Sequence, residues 1–398
     1  MDREPRFDRI RLAIVVWTVL VSQVLLYPGL DGLVVALGAP GGISAGMWFL
    51  VAEFGAFVAF AAVWGAASDT LGRRTPLVVL GAIGGASSYL LLPVLASIDA
   101  GFQAVLLLRV VGGTFTIGAF SLSITMLMDL SGGHGRNMGA AGIAIGLGAA
   151  IGSVVGGQLA AVDPFAPVYA GAGALVVAGA TAATVTDRAP LGGPSLTAVL
   201  GTLRDRPALQ IPYAFGFIDR LTAGFFSLVG VYYFSDVFGL DAAGVGIALA
   251  SFFLPFALLQ YPLGSLSDRI GRFVPVVIGS VCYGGAIIAV GLAPIVEVAI
   301  ALMILVGVCG ALVAPATMAL VTDTVPPGER GVAMGGFNVF GSLGFLAGFL
   351  IGGSVADTYS YLTAFVVVGA AEILIAIVAL RAVRRLTRTT DSSTVTTG

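Results

Sequence analysis

The chain has 398 residues, 58% of them hydrophobic and only 10% charged, with a formal net charge of −2 and a mean hydropathy of +1.03. Soluble domains carry about 25% charged residues, so a water-facing globular surface is excluded and an integral membrane protein is expected. All 19 basic residues are Arg, and there is a single His, His134. Without Lys there is no Walker-type phosphate loop and no Schiff base, and one His leaves little material for His metal sites or Ser–His catalysis. No metal, cofactor or nucleic-acid partner is expected. Cys282 and Cys309 both fall inside apolar runs and read as small buried hydrophobes.

Crossing a hydrocarbon core of about 30 Å takes roughly 20 apolar residues in a helix. Apolar runs between charged or Pro/Gly clusters define twelve spans. The first six are 12–37, 45–67, 75–96, 103–127, 138–160 and 165–186. The second six are 208–234, 243–264, 274–293, 297–321, 333–355 and 361–381. The only long polar break, 187–207, divides the chain into an N-terminal half (1–186), a cytoplasmic linker, and a C-terminal half with a short cytoplasmic tail (208–398). The first apolar run is longer than the roughly 7–15 residues of a signal-peptide core, so it is expected to remain as a helix.

The Arg residues orient the spans. Arg3, Arg6, Arg9, Arg11, Arg73, Arg74, Arg136, Arg188, Arg204, Arg206, Arg269, Arg272, Arg330, Arg381, Arg384, Arg385 and Arg388 all fall on one side. The opposite loops carry acids alone: Asp99, Asp163, Asp236, Asp241, Glu297 and Asp357. The positive-inside rule makes the Arg side cytoplasmic, which places both termini inside a multi-pass protein of the cell membrane.

The two halves repeat one another. Gly65-x3-Asp69-x2-Gly72-Arg73-Arg74 follows the second span, and Gly264-x3-Asp268-x2-Gly271-Arg272 follows the eighth, every shared position 199 residues later. The fifth span carries a ladder, Gly139, Gly148, Gly152, Gly156 and Gly157. The eleventh repeats it at Gly335, Gly344, Gly348, Gly352 and Gly353. Asp129-x6-Arg136 matches Asp323-x6-Arg330 in the same way. Parallel six-helix repeats about an axis along the membrane normal are a transporter architecture, with the substrate site between the halves near the midplane.

These motifs, with Arg109-x2-Gly112-Gly113 in the fourth span, resemble the major facilitator superfamily, and the ladder is similar to that of its drug and metabolite:proton antiporters. The resemblance implies an all-α membrane protein of twelve helices in two six-helix pseudo-symmetric halves. It implies that Asp69 and Arg73 close the cytoplasmic side against the start of the eleventh span near Gly331–Val332, and that Asp268 and Arg272 do so against the fifth near Asn137. The family's ladder has Pro after its third glycine; here Ser153 and Phe349 stand in that place, removing the residue that would kink the helix. Gly65 is expected to allow a close helix approach and Gly72 a tight turn. The ladder glycines Gly148, Gly152, Gly156, Gly344, Gly348 and Gly352 are expected to pack helices and leave smooth faces that let the halves rock.

Ionisable residues inside spans cost about 2.5–3.5 kcal/mol each on insertion scales and are functional candidates. Six qualify: Asp31, Glu53, Arg109, Asp219, Arg220 and Glu372. At about 1.5 Å per residue, Asp31, Glu53 and Arg109 share a level, so Arg109 is expected to pair with Asp31 or Glu53. Asp219 and Arg220 lie near the midplane of the seventh span, pointing about 100° apart, so at most one faces a central cavity. Glu372 also lies near the midplane, but the twelfth span is usually peripheral in the family's fold, so it reads equally as a functional residue and as a packing or subunit-contact one. Tyr27, Phe225, Phe226, Tyr232 and Tyr233 are candidate lining aromatics.

The resulting expectation is a monomeric secondary active transporter, exporting a small, partly apolar substrate in exchange for protons across the lipid bilayer, with Asp31, Glu53, Arg109, Asp219 and Arg220 coupling substrate to proton. An organic-anion exchanger or symporter using Arg109 and Arg220 is the alternative within transport. An intramembrane enzyme would need a nucleophile–base pair or two close acids at one depth, which Asp31 and Asp219 do not supply. A non-transporting receptor on the same scaffold would be expected to add a soluble domain.

Overall fold

The computed structural model describes residues 3–130, 134–187 and 196–395. Among these it is helical, with no strand. In chain order the helices are α1 (Arg3–Val24), α2 (Leu30–Ala36), α3 (Ile43–Leu71), α4 (Thr75–Ser97), α5 (Phe102–Asp129), α6 (His134–Val162), α7 (Ala166–Ala182) and α8 (Leu196–Asp205). There follow α9 (Gln210–Phe225), α10 (Val231–Phe238), α11 (Ala242–Ile270), α12 (Gly279–Gly291), α13 (Val296–Asp323), α14 (Arg330–Ala347), α15 (Gly353–Thr358) and α16 (Tyr361–Val395). Ten helical stretches among the described residues are long and apolar enough to cross a membrane, and Ala166–Ala182 is a shorter apolar helix. The linker residues 188–195, and the side chains of His134, Arg136 and Asn137, lie outside the described residues.

The expected first span is broken. After Val24 the chain turns through Tyr27, Pro28 and Gly29 and restarts as α2, because Pro28 has no N–H for the helical ladder and its ring clashes with the preceding turn. Two further spans are continuous only through π turns, at Phe226–Gly230 and Gly348–Gly352, and a third begins with one at Val274–Ile278. The turn at Gly348–Gly352 holds Phe349, so the eleventh span is irregular at the place where Pro is missing. Its counterpart α6 passes Ser153 as regular α-helix, and the Ser153 hydroxyl donates back to the Ala149 carbonyl at 2.8 Å.

Contacts gather the chain into two compact units, Met1–Gly193 with Gly230–Ala257, and Pro194–Val229 with Leu258–Gly398. Lipid tails are as apolar as Leu, so helices in a bilayer gain little by hiding apolar side chains from it and associate through close packing instead. Side chains such as Leu107 and Val378 accordingly stay 69% and 74% exposed on the outer flanks. In the first unit α5 packs on α3 and α4, while α6 and α7 pack on α1. In the second, α9 packs on α14, and α12 on α13 and α16. The second unit's interior holds two apolar clusters, one around Tyr213, Val321 and Phe337, the other around Phe215, Val276 and Val383. Of the two cysteines expected to be buried, Cys309 is buried and Cys282 is exposed, on a flank of α12.

Candidate functional site

The first unit holds a buried ion pair in its apolar interior. The Arg109 guanidinium on α5 donates to Glu53 Oε2 on α3, and the two residues are 2% and 4% exposed. Four residues after Arg109 stands Gly113, where any Cβ would overlap the backbone of Glu53. The bare backbone at Gly113 therefore brings α3 close enough for the pair to form, which is the physical content of the Arg-x2-Gly-Gly spacing. Arg109 also lies 4.2 Å above the Phe49 ring and 5.5 Å from the Tyr89 ring, a cation–π arrangement that fixes the guanidinium. Tyr89 and Tyr27 complete the wall, both buried and both within electrostatic range of Glu53. The Tyr89 hydroxyl donates to the Ser22 carbonyl at 3.2 Å. Glu53 Oε1 and Arg109 Nε make no regular hydrogen bond.

Between the two expected partners, then, Arg109 takes Glu53. Asp31 is exposed, and its Oδ1 accepts from the Gly42 N–H at 2.8 Å, bracing the turn that leads into α3. Phe49, Tyr89 and Ser22 were not legible as site residues, because their role comes from three helices meeting rather than from any spacing along one.

The repeated motif lies on helices rather than in loops. α3 runs to Leu71 and α11 to Ile270, so Asp69 and Asp268 occupy last turns, and Gly72 (φ 61°) and Gly271 (φ 83°) close those helices in the left-handed conformation. Gly65 does not provide the expected close approach: a Cβ there would meet nothing within 4 Å, whereas one at Gly264 would lie 3.3 Å from Pro315. The arginines also differ between copies. Arg73 is exposed, while Arg74 is 2% exposed and pairs with Asp129. In the second copy Arg272 lies 2.6 Å from Asp268 and 3.3 Å from Asp323. Asp129 and Asp323 are equivalent in the repeat, so the matching loops carried the signal for these pairs. Asp187 accepts from the Arg74 and Thr75 backbone N–H groups at 3.0 and 3.1 Å, neutralising the start of α4.

The ladder glycines pack within their own units. A Cβ on Gly148 or Gly152 would lie 3.2 Å from Trp17 or 3.1 Å from Val24 of α1, and one on Gly156 would overlap Leu25. Gly344 and Gly348 would overlap the backbone at Phe217 and Leu221 of α9, and Gly352 would come 2.6 Å from Phe225. The ladders thus seat α6 on α1 and α14 on α9. The backbone contact between α6 and α11 is made instead by Gly157 against Ala242 and by Gly246 against Ser153.

In the second unit Asp219 is 5% exposed with Oδ1 unpartnered. Arg220 is half-buried, its Cγ 3.2 Å from where a Gly341 Cβ would be. Among the candidate aromatics, Phe225 and Phe226 stack edge-on with Phe365, at 5.0 and 5.9 Å between ring centres, and are packing residues. An apolar recess of about 390 Å³ is lined by Tyr213, Phe217, Ile218, Phe340 and Ile375. Just after α8, Arg206 donates to both Glu329 oxygens, at 2.5 and 2.9 Å.

The family model of the Major Facilitator Superfamily matches residues 12–234 and 213–396. The chain is 30% identical over 162 residues to the uncharacterized MFS-type transporter MJ1560 of Methanocaldococcus jannaschii, covering 41% of this chain and 42% of that one. It is 32% identical over 125 residues to the multidrug resistance protein MdtG of Yersinia enterocolitica, covering 31% and 30%. The matched stretches therefore span well under half the length of these relatives. Among solved structures, the fold is similar to that of a bacterial homolog of the human lysosomal transporter Spinster, with a TM-score of 0.77 at 14% identity over 98% of both chains. It is also similar to that of the nucleoside transporter NupG, at a TM-score of 0.72 and 15% identity over 94% and 98%. The chain belongs to the Major Facilitator Superfamily, a family of multi-pass membrane transporters and not of enzymes.

Proposed function

We propose that this protein is a proton-coupled secondary transporter that exports a small, partly apolar molecule by alternating access. Its twelve spans form two halves, 1–186 and 208–398, around the linker 187–207, with both termini cytoplasmic. The observation that carries the reading is the Glu53–Arg109 pair, an acid and a permanent cation buried together in a bundle that must change shape to work. Arg109 cannot give up its proton, so it is not the carrier. In this cycle contact with Arg109 favours the ionised form of Glu53, and when the helices part in an apolar setting the carboxylate takes up a proton. Tyr27 and Tyr89 beside the pair offer the substrate an aromatic, weakly polar wall. The two copies of the Asp-x2-Gly-Arg motif serve as the cytoplasmic gate. The multidrug resistance relatives support export. Organic-anion exchange is disfavoured, because Glu53 already meets the Arg109 charge and leaves Arg220 alone to hold an anion.

The test is flux in proteoliposomes carrying an internal pH dye, run against a panel of lipophilic cations and neutral amphiphiles. Substrate movement should drive an opposite proton movement that Glu53→Gln removes. Substrate flux with no proton movement in the unaltered protein overturns the coupling.

A further inference from the structure

Glu372 lies on α16 in a stretch that packs closely on α12, where a Cβ on Gly284 would overlap the Gly369 carbonyl. A Cβ on Gly284 would stand 2.7 Å from Ile373 and 3.2 Å from the Glu372 Cβ. The residue is 0% exposed, and neither of its carboxyl oxygens makes a regular hydrogen bond. The groups around it come from three helices. α12 contributes the Ser280 hydroxyl beside it and Tyr283. α9 contributes Asp219, followed by Arg220, and Thr222, which pairs with Tyr283. α13 contributes Cys309, which acts on Tyr283. Arg220 acts on Asp219; among the described residues no cation acts on Glu372.

A carboxylate in that setting would be a bare charge in a low-dielectric interior facing a second acid, and such a group neutralises rather than stay ionised. A carboxylic acid needs only an acceptor for its one O–H, and the Ser280 oxygen, itself without a regular partner, is the neighbour that can accept. We propose that Glu372, with Ser280, Tyr283 and Asp219 around it, is a second proton-binding site, inside the C-terminal unit and independent of the Glu53–Arg109 pair, and that it is occupied at neutral pH. The proton comes from water and binds one carboxylate oxygen, and no other bond changes. Asp219, with Arg220 next to it, supplies the negative charge that holds the proton in place. The site deepens the proton-coupled reading by giving the second unit its own proton, but its occupancy does not depend on transport, so the two ideas fail separately.

The experiment is difference infrared spectroscopy of the purified full-length protein in lipid nanodiscs, titrated from neutral to alkaline pH in H2O and D2O. At neutral pH a protonated-carboxyl C=O band should be present and shift in D2O. It should be lost in Glu372→Gln and kept in Glu53→Gln. Asp219→Asn should bring deprotonation of that band to lower pH by about one unit or more, the size of a direct like-charge coupling. Ser280→Ala should keep the band but move its frequency, which supplies the test if Glu372→Gln fails to fold. A band unchanged in folded Glu372→Gln, or unmoved in Ser280→Ala, overturns the proposal.

Discussion

The Arg109 guanidinium is held in the bundle interior by the Glu53 carboxylate and the Phe49 face, on helices that the bare backbone at Gly113 lets approach closely. Removing one member of a buried pair costs about 3–5 kcal/mol in soluble proteins, because the other charge is stranded. Arg109→Gln should therefore leave Glu53 protonated and abolish pH-gradient-driven flux while part of the substrate binding survives. Arg109→Lys should restore little, since an ammonium has neither the planar fork nor the flat stacking surface. Expression, binding and flux measured on one preparation check this, and undiminished flux per folded molecule would mean the pair is only structural. The same site yields a stability contrast. Gly113→Ala would overpack the α3–α5 contact by about 1–3 kcal/mol, whereas Gly65→Ala meets open space and should hold or raise stability, since Ala is the better helix former by about 1 kcal/mol. Melting temperatures in one detergent should fall for the first and not for the second. Of these residues Glu53, Arg109 and Gly113 were legible in the sequence, as rare charges and a glycine pair in apolar runs. Phe49 and Tyr89 were not, because aromatics in such runs look alike until the helices are packed.

Along the elements, the glycine ladders show how one spacing performs unequal work in two copies. Gly344 sits against the backbone of Phe217, while the nearest atoms to a Cβ at Gly148 stand 3.2–3.4 Å away. Gly344→Ala should therefore destabilise the protein clearly and Gly148→Ala only slightly, a ranking that thermal unfolding of the two variants checks. The linker end offers a pH-dependent contact. The Arg206 hydrogen bonds hold the Glu329 carboxyl below its ordinary value of 4.5. A carboxyl lowered in the folded state stabilises above its unfolded pKa and loses that contribution as pH falls through the folded one. The difference in melting temperature between the parent protein and Glu329→Gln should therefore be present at neutral pH and shrink below about 4.5. High salt should shrink it too, because both side chains are partly exposed.

For the whole molecule, the segregation of Arg predicts one topology. Single cysteines at Asp99 or Asp163 should react with an impermeant reagent in intact cells, and one at Asp205 should react only after lysis; the reverse pattern would invert the protein. Class, approximate spans and the internal repeat were decided by the sequence alone, because hydropathy, charge asymmetry and glycine spacing are properties of a chain in a bilayer before any helix meets another. Which acid Arg109 chooses, whether Arg73 or Arg74 is buried, and which helix each ladder glycine touches were decided only by tertiary structure. A membrane interior offers little polar solvent to satisfy a stranded charge, so each charge must find its partner on whichever helix the packing of backbones brings near. The break at Pro28 and the π turn at Phe349 belong with them: the first was written in a proline that an apolar run concealed, and the second has no residue in the sequence that announces it.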